Sequence, residues 1–273
     1  MKGLEGKNVL VTGATSGIGQ EMAVKFAQYG ANVAINYLRD VNTTSETDEM
    51  IHESMDHCVG QFHEHGVNHI MVQADVSKED EVKRMVAETV SGLGGLDFVI
   101  NNAGIQIAGE SHEIEVSKIQ AVLNVNLLGA FMVAKEAISY GLAQGQTGSI
   151  VNVTSVHQII PKPRFVGYSM SKGGMQNMTR TLALEYAGRG IRINAVGPGA
   201  TVTPINSAWI DDPEKKAAVE SHIPMGRAGT SEEMAEAAAF FCSDYSAYTT
   251  GQTLYVDGGL TLYPDFRTSW SSE

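Results

Sequence analysis

Three observations predict an α/β fold for this sequence, with a seven-stranded parallel sheet doubly wound by helices on both faces. Short apolar runs of strand length alternate with amphipathic stretches of helix length along the chain. The first run passes through a glycine-rich loop directly into a helix. No linker or low-complexity stretch interrupts the pattern, so residues 1–273 are expected to form a single domain. Such alternation favours a parallel sheet, because each crossover helix returns the chain to the same end of the sheet.

The composition narrows the functional classes open to the chain. Its net charge is −12 and it has no basic tract, which argues against a nucleic-acid partner. No uninterrupted apolar run reaches the ~18 residues of a membrane span, and the polar N-terminus is unlike a secretory signal. Two cysteines far apart in sequence, Cys58 and Cys242, are typical of free thiols in a cytoplasmic protein. We therefore expect a cytoplasmic protein that acts on a small molecule, without a membrane or nucleic-acid partner.

The glycine-rich loop predicts a phosphate site. The first predicted strand, Asn8–Thr12, leads into Gly13–Gly19, and an amphipathic helix follows. In this order the backbone N–H groups of the loop and the positive end of the helix dipole face an anion. Glycine is required where the backbone approaches a pyrophosphate closely. The predicted cofactor contacts in this loop are Gly13, Thr15, Ser16, Gly17, Ile18 and Gly19.

The end of the second predicted strand bears on the choice of cofactor. This strand, Asn32–Tyr37, ends where an NAD site carries an acid for the ribose hydroxyls, and no acid stands there. Arg39 lies nearby, and a guanidinium suits the 2′-phosphate of NADP. We predict NADP as the preferred cofactor. NAD remains the alternative, since Arg39 can equally be a solvated side chain and Asp40 can reach a ribose.

The segment from 40 to 69 holds five of the eight histidines. A polar, turn-like start is followed by a predicted helix that runs toward His69. His63 and His65 point to different sides of such a helix, and no closely spaced Cys/His pair of the zinc type is present. We interpret the histidines as a solvated helix face and predict no metal site; metal binding is the weaker alternative.

The remaining apolar runs predict five more strands: Ile70–Ala74, Leu96–Ile100, Ser149–Thr154, Ile191–Val196 and Gln252–Val256. Helices are predicted at Lys78–Val90, at Val116–Tyr140, from Tyr168 and from Ser231, with a helical excursion at about 204–224. In open parallel sheets, ligands bind at the carboxyl ends of the strands. The loops that follow the strands should therefore meet in one crevice.

A tyrosine and a lysine four residues apart are the main candidates for proton chemistry. Tyr168 and Lys172 share one face of a predicted helix. An ammonium group beside a phenol stabilises the phenolate, so the pKa of Tyr168 is expected to fall below its usual value of about 10. The alternative for the pair taken alone is an ordinary surface contact on a helix.

Six motifs in this order resemble those of the short-chain dehydrogenase/reductase family. They are Thr12-Gly13-x3-Gly17-x-Gly19, Asn101-Asn102-Ala103-Gly104, Asn126, Ser155, Tyr168-x3-Lys172 and Pro198-Gly199. The resemblance covers nearly the whole chain. It implies a single-domain Rossmann fold and an oxidoreductase that transfers a hydride between a nicotinamide and a secondary alcohol or carbonyl.

The resemblance implies a role for each of four residues. Tyr168 would be the acid/base that protonates the carbonyl or deprotonates the alcohol. Lys172 would lower the pKa of Tyr168 and hydrogen-bond the nicotinamide ribose. Ser155 would hold the substrate oxygen beside Tyr168, and Asn126 would position a water that relays protons from Lys172 to solvent. It also implies cofactor contacts from the loops that follow other strands, namely Asp75, Val76, Asn102, Ala103, Gly104, Pro198, Gly199, Thr201 and Thr203.

Within the family, further stretches such as Ser155-Val156-His157 and Thr203-Pro204-Ile205-Asn206 resemble those of the bacterial glucose 1-dehydrogenases. This likeness implies a homotetramer and a sugar or polyol substrate that contacts His157 and Asn206 as well as Ser155 and Tyr168. Gln106 stands where those enzymes carry an acid near the sugar hydroxyls. Two alternatives remain open: a 3-ketoacyl or other ketone reductase of the same family, and a non-catalytic NADP-binding sensor.

Overall fold

A single parallel sheet forms the centre of the computed structural model, which describes residues 1–38 and 46–262. The strands are β1 (Asn8–Val11), β2 (Asn32–Tyr37), β3 (His69–Gln73), β4 (Phe98–Asn101), β5 (Gly148–Val153), β6 (Ile191–Pro198) and β7 (Thr253–Val256). They lie in the order β3-β2-β1-β4-β5-β6-β7, and each neighbouring pair is parallel. The predicted fold class is confirmed. The largest boundary shifts are two residues, at the start of β4 and at the end of β6.

Helices cover both faces of the sheet. They are α1 (Gly17–Gln28), α2 (Glu46–Glu64), α3 (Glu79–Leu93), α4 (Val116–Leu123), α5 (Ala130–Gln144), α6 (Val166–Tyr186), α7 (Ser207–Ile210), α8 (Pro213–Ser221) and α9 (Ser231–Cys242). One hydrophobic core lies under α1, α2 and α9, and a second lies under α3, α5 and α6. Successive residues of each strand alternate between the two cores: Val9 and Val11 face the first, and Leu10 faces the second. This explains why the strands are apolar on both sides.

Helix α2 has the solvated face that its histidines predict and also contributes to the first core. His57, His63 and His65 are exposed as predicted, but Cys58 and Phe62 on the same helix are fully buried. Both side chains belong to the first core, and α2 contacts α1. The segment after β2 is therefore an amphipathic helix packed beside the glycine-rich loop.

The predicted helix Val116–Tyr140 consists of α4, a π-helical turn at Asn124–Gly129, and α5. The whole stretch Val116–Gln144 is long and apolar enough, by mean hydropathy, to cross a membrane, although no uninterrupted apolar run of that length occurs. Core helices of soluble proteins meet the same criterion. In this fold α4 contacts α6 and α5 contacts α3, so the stretch is part of the helical layer over the second core.

A chain of buried polar side chains connects β4, β5 and α6. Asn101 Nδ2 donates to Asn152 Oδ1 at 2.9 Å, and Asn152 Nδ2 donates to Thr179 Oγ1 at 2.9 Å. Thr179 Oγ1 then donates to the carbonyl oxygen of Met175 at 2.7 Å. Because each of these side chains is buried, the hydrogen bonds satisfy amide and hydroxyl donors that would otherwise be costly to desolvate. They attach α6 to the centre of the sheet.

Two helix starts can be compared with their predicted positions, and one of them differs. α6 begins at Val166, two residues before the predicted Tyr168, so Gly167 lies inside the helix. α9 begins at Ser231 as predicted, but its N-cap is Thr230, whose side chain accepts from the backbone N–H of Glu233 while the Glu233 side chain accepts from the Thr230 N–H. This capping box marks the end of the helical segment at about 204–224 and the start of the last long helix.

Candidate active site

The loops after the strands meet in one cleft of about 570 Å³ at the carboxyl end of the sheet. The cleft brings together most of the predicted site residues: Gly13, Thr15, Ser16, Gly17, Ile18, Asp75, Val76, Asn102, Ala103, Gly104, Gln106, Ser155, His157, Tyr168, Lys172, Pro198, Gly199, Thr201, Thr203 and Asn206. Gly19 and Asn126 are not among the lining residues and lie behind the surface. Arg39 lies outside the described residues.

The glycine-rich loop is shaped by close backbone packing. Gly13 has φ +61°, and a Cβ placed there would lie 2.9 Å from the Cα of Ala103. A Cβ on Gly19 would collide with the Asn102 side chain and with the carbonyl oxygen of Gly13. Ser16, the N-cap of α1, makes no side-chain capping hydrogen bond. The N–H groups of the first turn of α1 are therefore left for an anion in the cleft, as a dinucleotide phosphate requires.

Polar side chains from neighbouring strands hold this loop in place. Asn102 Nδ2 donates to the carbonyl oxygens of Thr12 (3.0 Å) and Gly13 (2.9 Å). Thr12 Oγ1 accepts from the backbone N–H groups of Asn102 (3.0 Å) and Ala103 (3.1 Å). Asn36 Oδ1 accepts from the N–H of Gly13 at 3.2 Å. The Asn102 side chain thus acts on the loop, while the backbone of 102–104 borders the cleft.

Helix α2 reaches the loop as well, which sequence reasoning missed. Ser54 Oγ donates to the carbonyl oxygen of Thr15, and Gln20 Nε2 donates to the carbonyl oxygen of Ser54 at 3.4 Å. Nothing in the pattern of α2 distinguishes Ser54 from a solvated serine, because its partner lies 39 residues away in the sequence. The hydrogen bond links the inserted helix to the predicted phosphate site.

The residues after β3 line the end of the cleft that lies farthest from β5, and their arrangement suits a planar ring such as a purine. Asp75 Oδ1 accepts from the backbone N–H of Ser77 at 2.9 Å and from its hydroxyl at 2.7 Å. The N–H of Asp75 donates to Glu81 Oε2 at 2.8 Å. Leu38, whose residue is 62% exposed, lines the cleft opposite this turn. An apolar side chain and a fixed carboxylate together form a surface on which a purine can lie.

The tyrosine hydroxyl meets the serine that follows β5. Ser155 Oγ accepts from the N–H of His157 at 3.1 Å and is hydrogen-bonded to the Tyr168 hydroxyl. Burial raises the pKa of Tyr168, and the hydrogen bond from Ser155 lowers it in part. The expectation of a lowered pKa is therefore wrong for the free protein, because desolvation of the phenolate outweighs the stabilisation it receives.

Lys172 is buried one helical turn after Tyr168. Its Nζ donates to the carbonyl oxygen of Val153 at 2.8 Å and lies 5.5 Å from the centroid of the Tyr168 ring. Burial lowers the pKa of Lys172 to about 8. Within the described part of the chain it forms no ion pair with a carboxylate. The geometry agrees with the predicted shared face, and Lys172 loses its proton at a lower pH than an exposed lysine does.

Asn126 lies in the π-helical turn and is fully buried. Its Oδ1 accepts from the N–H of Ile105 at 2.8 Å, and its Nδ2 donates to the carbonyl oxygen of Ile105 at 2.9 Å and to Ser171 Oγ at 3.1 Å. Both amide hydrogens are therefore used inside the protein. The side chain fixes the loop after β4 against α6 beside Lys172, and the predicted role in binding a water remains a prediction.

Three predicted substrate residues lie at the other end of the cleft. The ring of His157 stands 6.3 Å from that of Tyr168, and its Nδ1 lies 3.0 Å from the carbonyl oxygen of Ile160. Since a carbonyl can only accept, Nδ1 carries the proton, and burial lowers the pKa of the ring. Asn206 Nδ2 donates to the carbonyl oxygen of Thr201 at 2.9 Å. Gln106 also lines the cleft.

The lining residues that were not predicted include Lys162, Trp209, Val219, His222 and Leu260. Trp209 comes from α7, and Val219 and His222 come from α8 and the residue after it. The excursion at 204–224 was predicted, but its short helices have no clear apolar face from which the cleft side could be read. Lys162 could have been noticed, since it lies between Ser155 and Tyr168 in the sequence.

The histidine-rich segment does not assemble a metal site in the part of the chain that the structure describes. No group of three or more His, Cys, Asp and Glu side chains is close enough there to hold an ion. The rings of His63 and His69 are 5.3 Å apart. Burial, and then the charge of His63, lowers the pKa of His69, so the charged form of His69 is disfavoured.

Comparisons with known proteins agree with this geometry. The family model described as Enoyl-(Acyl carrier protein) reductase matches residues 13–261. The chain is 51% identical to the glucose 1-dehydrogenase of Gluconobacter oxydans, covering 98% of this chain and 96% of that one. It is 45% identical to the 3beta-hydroxysteroid dehydrogenase 1 of Eggerthella lenta, with 97% of each covered.

A solved structure is similar as well. The gluconate 5-dehydrogenase of Burkholderia cenocepacia, in complex with NADP and tartrate, superposes with a TM-score of 0.85 at 31% identity, over 95% of this chain and 96% of that one. The cleft, its tyrosine and lysine and these relatives lead to one conclusion. The chain belongs to the short-chain dehydrogenase/reductase family and is an NAD(P)-dependent oxidoreductase with a small-molecule substrate.

Proposed function

We propose that the protein is a sugar or polyol dehydrogenase that uses NADP, with Ser155, Tyr168 and Lys172 at its reacting centre. The observation that carries the proposal is the meeting of these three side chains in the same cleft as the glycine-rich loop. Relatives named as glucose 1-dehydrogenase and gluconate 5-dehydrogenase support a polyhydroxylated substrate.

The cleft fits a nicotinamide dinucleotide along its length. The uncapped first turn of α1 suits the pyrophosphate, and the surface formed by Leu38, Asp75 and Val76 suits the adenine. Further contacts are proposed from the backbone of Asn102, Ala103 and Gly104, from Pro198 and Gly199, and from Thr201 and Thr203. The cofactor supplies the hydride chemistry when it is bound.

The protein's own part is to orient the substrate and to move a proton. Ser155 holds the reacting oxygen beside the Tyr168 hydroxyl, which gives or takes the proton. Lys172, whose pKa burial lowers to about 8, exchanges protons readily and donates to the nicotinamide ribose. Asn126 acts through other residues: it hydrogen-bonds Ile105, which lines the cleft, and Ser171, which is buried in α6.

The protonation state of Tyr168 predicts how the rate of each reaction direction changes with pH. Alcohol oxidation needs the phenolate, and burial raises the pKa of Tyr168 in the free protein. The kcat/KM for oxidation should therefore rise with pH through the alkaline range, whereas carbonyl reduction, which needs the protonated phenol, should not. Parallel pH–rate profiles for the two directions measure this. A flat profile for oxidation from pH 7 to 10 contradicts the role given to Tyr168.

The preference for NADP rests on Arg39 and on the absence of an acid at the end of β2. The solved relative that holds NADP supports the same choice. Replacing Arg39 by Ala should raise the KM for NADP at least about tenfold and leave the KM for NAD nearly unchanged, because only NADP carries the 2′-phosphate. Equal changes for the two cofactors would remove the basis of the preference.

Steady-state turnover tests the function itself. We expect reduction of NADP with at least one member of a panel of aldoses, polyols and secondary alcohols. A relative that is 39% identical, a 3-oxoacyl-[acyl-carrier-protein] reductase of Thermotoga maritima, favours a second candidate, a 3-ketoacyl or other ketone reductase. Faster reduction of 3-ketoacyl substrates than oxidation of any polyol would select that candidate. Binding of NADP without turnover of any alcohol, sugar or ketone would favour the third hypothesis, a non-catalytic NADP-binding sensor.

We further propose a cytoplasmic homotetramer of single-domain subunits. Large apolar side chains are exposed on the outer surface of α4 to α6 and its π-helical turn: Val116, Leu128, Phe131, Met170 and Leu184. Exposed apolar groups of this size on one layer of helices favour subunit contact. Light scattering of the purified protein measures the mass, and a monomer at micromolar concentration would contradict the tetramer. The tail residues Tyr263–Phe266, which resemble an interface segment, lie outside the described residues.

A further inference from the structure

Lys162 places a positive charge at the substrate end of the cleft. It lies in the loop between Ser155 and Tyr168 and lines the cleft. Its Nζ is 4.1 Å from the centroid of the Phe165 ring, and partial burial lowers the pKa of its ammonium group. This end of the cleft therefore holds a cation that lies against an aromatic ring, although the lysine as a whole is exposed to solvent.

The nearest acidic loop does not neutralise this cation. Glu110, in the loop after β4, pairs with Arg164 at 3.2 Å. Glu115, further along the same loop, pairs with Lys118 at 3.6 Å. Across residues 1–38 and 46–262, Lys162 forms no ion pair with any carboxylate. In a chain of net charge −12 such an unpaired lysine in a cleft is notable.

The carboxylate that lines the described cleft is at its other end. Asp75 follows β3, whereas Lys162 follows β5, and four strand spacings separate these two strands in the sheet order. At ~4.8 Å per strand this is about 19 Å. The two ends of the cleft therefore differ in charge, and the substrate end attracts an anion.

Lys162 is close to the reacting centre. Its charge contributes, after burial, to the lowered pKa of His157, whose ring is 6.3 Å from that of Tyr168. With Nδ1 of His157 donating to Ile160, the neutral ring offers Nε2 as an acceptor. A hydroxyl can thus be bound by His157 while an anionic group on the same molecule reaches Lys162.

We propose that Lys162 binds a carboxylate of the substrate, so that the preferred substrate is an acidic polyol, an aldonic acid, rather than a neutral sugar. This inference rests on the proposed dehydrogenase function and specifies its substrate class. An ammonium–carboxylate hydrogen bond is charge-assisted and is therefore stronger than the hydroxyl contacts that a neutral sugar makes.

The reaction at the acidic substrate is the same as at a neutral one. A secondary hydroxyl gives its O–H proton to the Tyr168 phenolate, and the carbon's hydrogen leaves with its electron pair to the oxidised nicotinamide cofactor. The C–O single bond becomes C=O, and the carboxylate on Lys162 is unchanged. The products are a keto acid, the reduced cofactor and one proton.

The test compares gluconate with glucose in the full-length protein, its Lys162→Gln variant and a matched control, Lys83→Gln. Lys83 lies on α3 outside the cleft, so its replacement makes the same change in net charge. We expect the unaltered protein to have a higher kcat/KM for gluconate than for glucose. Lys162→Gln should lower kcat/KM for gluconate about tenfold, through KM, with little effect on glucose. Lys83→Gln should change neither.

Ionic strength and a phosphate-bearing sugar complete the experiment. The KM for gluconate should rise with salt in the unaltered protein and lose this dependence in Lys162→Gln. A preference for glucose over gluconate, or equal kinetics of Lys162→Gln with gluconate, overturns the inference and leaves the dehydrogenase function in place. A preference for glucose 6-phosphate over gluconate overturns the carboxylate assignment. Turnover of no polyol, charged or neutral, instead defeats the proposed function.

Discussion

The two ends of the cleft are built differently. At the cofactor end, Thr12, Asn36 and Asn102 hold the glycine-rich loop by hydrogen bonds from strands in the middle of the sheet. At the substrate end, the lining comes from the loop after β5 and from α7 and α8, and α8 buries none of its residues. The first end is specified by the centre of the fold and the second by short peripheral segments.

This difference explains why the family is easier to infer than the substrate. The backbone geometry of the cofactor end depends on glycines and buried amides that tolerate few replacements. Residues such as Lys162 and Trp209 contact little of the core, so they can change without loss of the fold. Variants at each end should therefore differ in which kinetic constant they change.

The largest effect is expected at Tyr168, where the two ends meet. Replacing Tyr168 by Phe removes the hydroxyl that exchanges the proton and keeps the ring. We expect kcat to fall about 10³-fold while the dissociation constant for NADP changes less than about threefold. Stopped-flow or steady-state turnover, with fluorescence titration of the cofactor, measures both. Loss of cofactor binding in parallel with loss of turnover would show that the cofactor end and the substrate end of the cleft do not act independently.

A comparison of two glycines tests the cofactor end. Gly19→Ala places a Cβ against Asn102 and the backbone of Gly13, so the loop must move, and we expect the KM for NADP to rise about 100-fold. Gly60→Ala on α2 is the control: a Cβ there meets no atom within 4 Å, and the helix should be stabilised by about 0.5–1 kcal/mol. Unchanged cofactor kinetics in Gly19→Ala would contradict the tight packing.

Lys172 links the chemistry to stability. Its pKa falls from 10.5 to about 8 on burial, which corresponds to about 3 kcal/mol of destabilisation at neutral pH. Replacing it by Met should remove activity but raise the free energy of unfolding by about 2 kcal/mol, because loss of the hydrogen bond to Val153 offsets about 1 kcal/mol.

The pH dependence of that difference has a definite sign. Below pH 8 the lysine is protonated in both the folded and the unfolded chain, and the burial cost is fully present. As pH rises from about 8 to 10.5, the folded protein loses its proton first and the cost is relieved. The advantage of Lys172→Met in urea unfolding should therefore shrink over this range. A constant advantage would show that Lys172 is not desolvated.

The smallest effect is expected for Ser54, which extends the cofactor end into α2. Ser54→Ala removes the hydrogen bond to the Thr15 carbonyl. The KM for NADP should rise about threefold with kcat unchanged, as loss of one neutral hydrogen bond predicts. Ser91→Ala, whose hydroxyl donates to Glu88 on the exposed end of α3, is the matched control. A fall in kcat in Ser54→Ala would show that α2 affects the chemical step as well as cofactor binding, which would contradict the difference between the two ends of the cleft.

The sequence predicts the frame of this molecule well and its long-range polar contacts poorly. Strand positions follow from apolar runs and from glycine and proline between them, and the shared face of Tyr168 and Lys172 follows from helix geometry. The hydrogen bonds of Thr12 and Asn102 join residues 90 apart in sequence, which no local pattern contains.

The π-helical turn and the pKa values were missed for a related reason. Nothing in Asn124–Gly129 distinguishes a π-helical turn from an α-helix until the loop after β4 and α6 pack around it. The pKa of Tyr168 depends on how far neighbouring elements exclude water, so the adjacent lysine alone gives the wrong sign.

The buried chain from Asn101 through Asn152 to Thr179 has a consequence for folding fidelity. Asn101 and Asn152 stand opposite each other in the pairing of β4 with β5. A shift of one strand by a single position would turn its side chains to the wrong face of the sheet. The two amide side chains would then be buried among apolar groups without their hydrogen bonds. Thr179 lies on α6 with Tyr168 and Lys172, so a wrong register of β4 and β5 would also break the hydrogen bond that attaches α6 to the sheet. A protein with this misaligned sheet would therefore be inactive.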